Sequence, residues 1–463
     1  MTRKLVREIY NLAWPVLIAQ LAVMAYAVID TVMAGRYGTD DLAAVGIGSA
    51  IYFSVFVGLM GILLAVTPIV AQLRGAGRHA EIGEQVRQAG WLTVVLTVLS
   101  VIVFHYPDPL LALSEAPQVV ADKVRAYLAI AAWGAPAGLA FRLFASYTTA
   151  VSLPRIMMVL NLLGLVMKIP LNWIFIFGNW GMPEMGSAGC ALSTTAVNWV
   201  ICLLAWSRCA TAEAYRHHGV FARWSWPRWH DQRQLLALGV PIGGTFLVDV
   251  TAFTFMALFV ARLGVVNSAA HQIAANLAAV MYMLPLAVAN AVGVLVGHAI
   301  GAGKFTLARS TGITGIALAA GLALVSALAL ALGAGAVTGI YTTDAGVRVL
   351  ASSLLVLVAL YHVFDAIQAV TVNVLRGYKR AVVPLMINAA GLWVLGLGGG
   401  FVIGLTGAWP VPALGFVPPL GVRGFWIAAI VGMLVATAGI LVYFLAVSAP
   451  RKARARSDAV VVS

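Results

Sequence analysis

Three aspartates stand inside long apolar stretches of this chain. Asp365 lies in Leu360-Tyr361-His362-Val363-Phe364-Asp365-Ala366-Ile367-Gln368. Asp30 lies in Ala27-Val28-Ile29-Asp30-Thr31-Val32, and Asp249 in Phe246-Leu247-Val248-Asp249-Val250-Thr251. Placing a carboxylate at the centre of a membrane helix costs about 2.5–3.5 kcal/mol on insertion scales, so a retained one has a partner or a task. No matching set of membrane cations accompanies the three. They read as a coupling or substrate path. The alternative is a set of structural acids held by Ser, Thr, Tyr or backbone groups.

If Asp249 and Asp365 converge, both cannot ionise cheaply in a low-dielectric pocket; a proton or a cation must lie between them. Tyr361 stands four residues before Asp365, on the same helical face, and offers a hydroxyl. Tyr282 offers a hydroxyl or a ring face; for either tyrosine, plain packing is the alternative. With Asp249, Asp365 and Tyr361 supplying oxygen, Na⁺ is the candidate ion. Pro15 precedes Asp30 by fifteen residues and permits a bend near the start of its helix, either static or linked to protonation. Lys168, in Leu165-Val166-Met167-Lys168-Ile169-Pro170-Leu171-Asn172-Trp173, either pairs with Asp30 or snorkels to the interface. Arg142 poses the same question. Asn172 and Asn198 are candidate polar lining or interhelical glue.

The elements that position these groups follow from composition. The 463 residues are 62% hydrophobic and 10% charged, with a mean hydropathy of +0.96. Soluble domains carry about 25% charged residues, so this is an integral membrane protein, and its apolar runs are long enough for helices. The apolar run after the charged Met1–Glu8 is too long for a signal peptide and reads as a retained first span. Cys190, Cys202 and Cys209 imply neither a disulfide framework nor a metal centre. There is no P-loop, and no nucleophile–base set for hydrolysis is discernible. The expected protein is a non-enzyme without a cofactor, driven by an ion gradient.

Twelve apolar segments are predicted: roughly 10–35, 44–70, 88–105, 122–152, 157–178, 187–207, 234–262, 267–300, 309–333, 345–378, 382–405 and 422–448. Of the 29 Lys and Arg, 21 fall on one side of them, including the basic tail Arg451, Lys452, Arg454 and Arg456. By the positive-inside rule that side, with both termini, is cytoplasmic. The opposite loops hold Asp40, Asp41, Asp108, Glu115, Asp122, Glu184 and Asp344. The net charge of +13 is thus explained by topology, and nucleic acid is not an expected partner.

The polar, Trp-rich stretch from Trp206 to Gln234 divides the chain. It reads as a tether, with a hinge on an anionic leaflet as the functional alternative, and its His217-His218 pair reads as solvated loop. The halves repeat. An offset of 226 takes Pro15 to Pro241, Gly38 to Gly264 and Ala43-Ala44 to Ala269-Ala270; an offset of 227 takes Asn161 to Asn388. Six spans per half make this a parallel repeat. The expected fold is all-α, with twelve transmembrane helices in two pseudo-symmetric six-helix lobes. Residues 1–207 form the N-terminal lobe, 208–233 a cytoplasmic linker, 234–450 the C-terminal lobe and 451–463 a basic tail. The acids break the repeat, because Asp30 corresponds to Met256 and Asp249 to Val23.

These residues resemble the multidrug and toxic compound extrusion (MATE) family, in particular its NorM-type bacterial exporters. The resemblance runs from about Ala13 to Val442. It rests on Val28-Ile29-Asp30-Thr31-Val32-Met33-Ala34-Gly35, Pro68-Ile69-Val70-Ala71-Gln72-Leu73 and Ile169-Pro170-Leu171-Asn172-Trp173-Ile174-Phe175. Ala269-Ala270-His271-Gln272-Ile273-Ala274, Tyr361 to Gln368 and Leu375-Arg376-Gly377-Tyr378-Lys379 complete it. It implies alternating access and efflux of cationic amphiphilic drugs and dyes in exchange for Na⁺ and/or H⁺, from a monomer in a bacterial inner membrane. It also matches Asp30 to an N-lobe acid, and Asp249, Asp365, Tyr361 and Tyr282 to a C-lobe cation site. Two departures stand out: NorM-like proteins commonly have Glu at the place of Asp249 and Asn at that of Lys168. A flippase of a lipid or lipid-linked precursor is the alternative function.

Overall fold

The computed structural model describes residues 2–112, 116–406 and 419–449. Glu115 and the tail 451–463 lie outside the described residues. Among the described residues twelve helices are long and apolar enough to cross a membrane: α1 Arg3–Tyr37, α2 Thr39–Gly75, α3 His79–His105, α4 Gln118–Ala150, α5 Pro154–Phe177, α6 Ser187–Thr211, α7 Trp229–Ala261, α8 Val265–Gly301, α9 Phe305–Tyr341, α10 Ala345–Gly377, α11 Val382–Thr406 and α12 Val422–Val447. Most exceed the ~20 residues a span requires, so they tilt or extend past the hydrocarbon.

By packing, the described residues divide into two compact units: Trp14–Gly243, and those on either side of it. The sequence reading divides at the connector; the packing divides inside α1 and α7, beside Pro15 and Pro241. Both prolines are interior to their helices, where a missing N–H weakens the ladder.

In the Trp14–Gly243 unit, α4 packs against α2, α3 and α6, and α5 packs against α6. Tyr127, Leu128, Ala131 and Ala135 of α4 form a core with Ala44 and Val45 of α2, Phe104 of α3, and Cys190 and Ala191 of α6. In the other unit α10 is central, packed against α8, α9 and α12. Its Tyr361 ring sits edge-on to Phe253 (6.1 Å between centroids) and to the fully buried Trp426 (6.0 Å). Close helix contact is made with small residues, as membranes require where lipid is as apolar as Leu. A Cβ on Gly432 of α12 would stand 2.2 Å from the Gly391 carbonyl oxygen of α11. Across that contact α11 leaves the α-form and winds as π-helix over Ala390–Gly398 and Val402–Thr406.

Candidate functional site

The Trp14–Gly243 unit holds Asp30 against Lys168. The Lys168 Nζ donates to Asp30 Oδ1 at 2.9 Å, to the Cys190 carbonyl at 3.3 Å, to Ser193 Oγ at 3.1 Å and to Thr194 Oγ1. Asn172 Nδ2 donates to the same Asp30 oxygen at 2.8 Å, and its own carbonyl accepts from Ser193. Lys168 and Asn172 are fully buried and Asp30 is 8% exposed. Lys168 and Asn172 sit one turn apart on α5, so both face α1 and α6 together. Lys168 therefore does not snorkel; its ammonium is enclosed by oxygens and its charge is matched in place. Burying an ion pair is tolerable only when the remaining donors are satisfied, as they are here.

Asn198 lies one turn beyond Thr194 on α6 and lines a small cleft with Tyr52, Tyr127, Ala131, Gly134 and Thr195. It does not join the Asp30 cluster. Pro15 is buried within α1. Arg142 is partly buried on α4, and its Nε has no hydrogen-bond partner among the described residues.

The second unit brings Asp249 of α7, Asp365 of α10, Tyr361 of α10 and Tyr282 of α8 within electrostatic reach of one another. Asn388 Nδ2 donates to Asp249 Oδ1 at 2.8 Å, and Gln368 Nε2 donates to Asn388 Oδ1 at 2.5 Å. Asp365 faces Asp249 with no hydrogen-bonded protein donor of its own among the described residues. Asp249 and Asp365 are partly buried residues. Arg376, one helix face along α10, is buried beneath Phe246 at 5.3 Å from its ring and lies within electrostatic reach of Asp249.

Sequence reasoning missed Asn388, Gln368 and Arg376 in this unit, and Ser193 and Thr194 in the other. The signals were slight. Asn388 entered only as the repeat partner of Asn161, and Gln368 closed the quoted Asp365 stretch. The connector's His217-His218 pair also differs from its reading as solvated loop. Tyr215 and His218 are buried. The His218 Nδ1 pairs with the Tyr147 hydroxyl at 2.6 Å, so of the two adjacent histidines only His217 is exposed. Burial, reinforced by His79 and Arg74, lowers the His218 pKa from 6.5 to about 4.

The chemistry of the second cluster is that of a cation receptor. Two half-buried carboxylates, one anchored by Asn388 and one without a donor, repel unless a proton or a hard cation joins them.

A family model described as MatE matches residues 15–174 and 241–402, more than half of the chain. Its two stretches begin at the repeat-related Pro15 and Pro241. The chain is 39% identical over 430 residues to a probable multidrug resistance protein NorM of Aromatoleum aromaticum, covering 93% of this chain and 92% of that protein. It is 36% identical over 428 residues to the multidrug resistance protein MdtK of Yersinia enterocolitica, covering 92% of each. In fold it is similar to the eukaryotic MATE transporter AtDTX14, with TM-score 0.84, 17% identity and 98% and 99% of the two chains covered. It is likewise similar to the Vibrio cholerae MATE transporter VcmN in its bent form, with TM-score 0.83, 20% identity and 98% of each chain covered.

Proposed function

The chain belongs to the MatE family, whose members are membrane transporters and not enzymes, and from that premise we propose that it is a secondary antiporter exporting cationic amphiphilic compounds in exchange for Na⁺ or H⁺. The multidrug resistance names of its relatives NorM and MdtK support the efflux reading. One observation carries the coupling: Asp365 lies within electrostatic reach of Asp249 without a hydrogen-bonded donor of its own among the described residues. An entering cation is held by Asp249, Asp365 and the Tyr361 hydroxyl, with Tyr282 beside them. Each charge that moves down the membrane potential supplies about 2.3 kcal/mol per 100 mV. Coupling requires that ion and drug differ in affinity between the inward- and outward-open states.

Asp30 has a different part in this reading. Its charge is already matched by Lys168, so the first lobe contributes conformation and substrate lining through Asp30, Pro15, Asn172 and Asn198. The protein works as a monomer in a bacterial inner membrane, with both termini cytoplasmic, as the Lys and Arg distribution supports.

The test is ethidium efflux from an efflux-deficient bacterium, with and without Na⁺ at fixed pH, beside Asp365→Asn. Efflux that rises with Na⁺ and dies in the variant is the expected result. Efflux indifferent to Na⁺ but collapsed by a protonophore moves the coupling to H⁺. Full efflux from Asp365→Asn defeats the site. No efflux from the unaltered chain defeats the multidrug reading and favours a lipid cargo.

A further inference from the structure

The connector between α6 and α7 is a built part of the first unit. The Glu84 carboxylate of α3 accepts from Arg87 at 2.6 Å, from Arg223 at 3.1 Å, from Arg228 at 2.9 Å and from Ser225 Oγ at 2.8 Å. Gln88 donates to the Trp226 carbonyl at 2.8 Å and accepts from the Arg228 amide at 2.8 Å. Gly83 makes the close approach possible, since a Cβ there would stand 2.0 Å from the His218 carbonyl oxygen.

This docking aims an aromatic and basic face outward. Phe221, Trp224, Trp226 and Trp229 are 61%, 72%, 71% and 75% exposed. Trp224 and Trp226 are not loose: they pack edge-on and stacked against Trp91 of α3, at 5.6 and 6.0 Å. Arg216, Arg223, Arg228 and Arg233 are exposed around them. Between Arg208 and Arg233 the connector carries five Arg against Glu213 and Asp231.

The level of this face along α3 identifies its neighbour. The first ten residues of α3 hold His79, Glu81, Glu84, Gln85, Arg87 and Gln88; from Trp91 to Phe104 there is no charged residue. Trp91 therefore marks the polar-to-apolar boundary of a membrane span, the depth at which indole rings settle. Arg228 also holds Asp231 at 2.9 Å, yet it, Arg216, Arg223 and Arg233 remain exposed, and indoles at that depth beside exposed arginines match an anionic lipid surface in both shape and charge.

We propose that the outward face of this connector is a seat for anionic phospholipid headgroups, taken by the Arg223 and Arg228 guanidiniums with Trp224 and Trp226 buried at the acyl boundary. That the leaflet concerned is the cytoplasmic one rests on the topology proposed above.

The test uses the purified full chain in vesicles of phosphatidylcholine mixed with brominated phosphatidylglycerol, and the reverse labelling, with the anionic lipid in both leaflets. Lipid preference is then read whichever way the chain inserts, so a wrong topology and a wrong lipid seat give different results. The expected result is quenching of total indole fluorescence up to about twofold stronger per mole by the anionic lipid, falling toward parity in Arg223→Gln/Arg228→Gln and in high salt. Because those two arginines also hold Glu84, Arg216→Gln/Arg233→Gln provides a second variant, which must lower the preference without disturbing the docking. Trp224→Phe/Trp226→Phe, which removes two of the 13 tryptophans, must lower the excess of quenching by the anionic lipid brominated near the headgroup. Equal quenching by the two lipids in the unaltered chain overturns the proposal. So does an anionic preference that all three variants retain.

Discussion

The ammonium of Lys168 lies 2.9 Å from the carboxylate of Asp30, and no part of the lysine side chain reaches solvent. An ion pair so enclosed is costly to break from one side. Lys168→Met leaves a buried carboxylate without its cation, which should cost about 3–5 kcal/mol of stability. Asp30→Asn added to that variant should recover a large part of the loss. Thermal unfolding in detergent of the two singles and the double reads this as a cycle; additive losses would mean the pair is not coupled.

Asn388 presents one amide hydrogen to Asp249 and is itself held by Gln368. Asn388→Ala removes a hydrogen bond to a charged group, about 1.5–3 kcal/mol. The expected outcome is a rise of roughly tenfold or more in the cation concentration that half-stimulates efflux, by the usual 1.4 kcal/mol per decade. Maximal efflux at saturating cation should change less. Asp249→Asn should blunt the ion dependence itself.

His218 sets a pH limit on the connector. Its folded pKa is lowered to about 4 against 6.5 for a free imidazole, chiefly by burial. The unfolded chain therefore binds more protons between these values, and its stabilising contribution is complete above about 6.5 and lost as pH falls toward 4. The melting temperature should decline over that window, and His218→Gln, which cannot titrate, should flatten the decline.

Gly83→Val places two methyl groups where the His218 carbonyl lies. The connector should lift from α3, and trypsin should cut after Arg216, Arg223 or Arg228 roughly tenfold faster than in the unaltered chain, in proportion to the open population. Gly77→Ala, in a turn with nothing within 4 Å of the added methyl, tests backbone strain without a clash. It should leave these sites protected.

The twelve spans were legible because hydrocarbon imposes one requirement on every residue that crosses it, and hydropathy reads that requirement directly. Asp30, Asp249 and Asp365 were legible for the same reason, as exceptions with a known cost. Their partners were not. Asn388 is 139 residues from Asp249, and nothing local to either says that α7 and α11 meet. Lys168 left two readings open, and only the placement of Ser193, Thr194 and the Cys190 carbonyl around its ammonium chose between them. The π-wound stretch from Ala390 defeats any reading by helical period, since a π turn holds more residues than an α turn and shifts the faces beyond it. The connector misled because its polar composition suits both a free loop and a docked one. The difference lies in Glu84, Arg87 and Gly83, more than a hundred residues upstream.

That docking also has an order in time. The surface that receives the connector is made by α3, with Tyr147 of α4 closing over His218, and both helices leave the ribosome well before Arg216 does. Both precede the connector in the chain, and α7 follows only thirteen residues after Arg216. Domains fold as units during synthesis, earlier ones first. With Arg228, Asp231 and Gln232 tied to Glu84, Gln85 and Gln88, the docked connector fixes the start of α7 against α3.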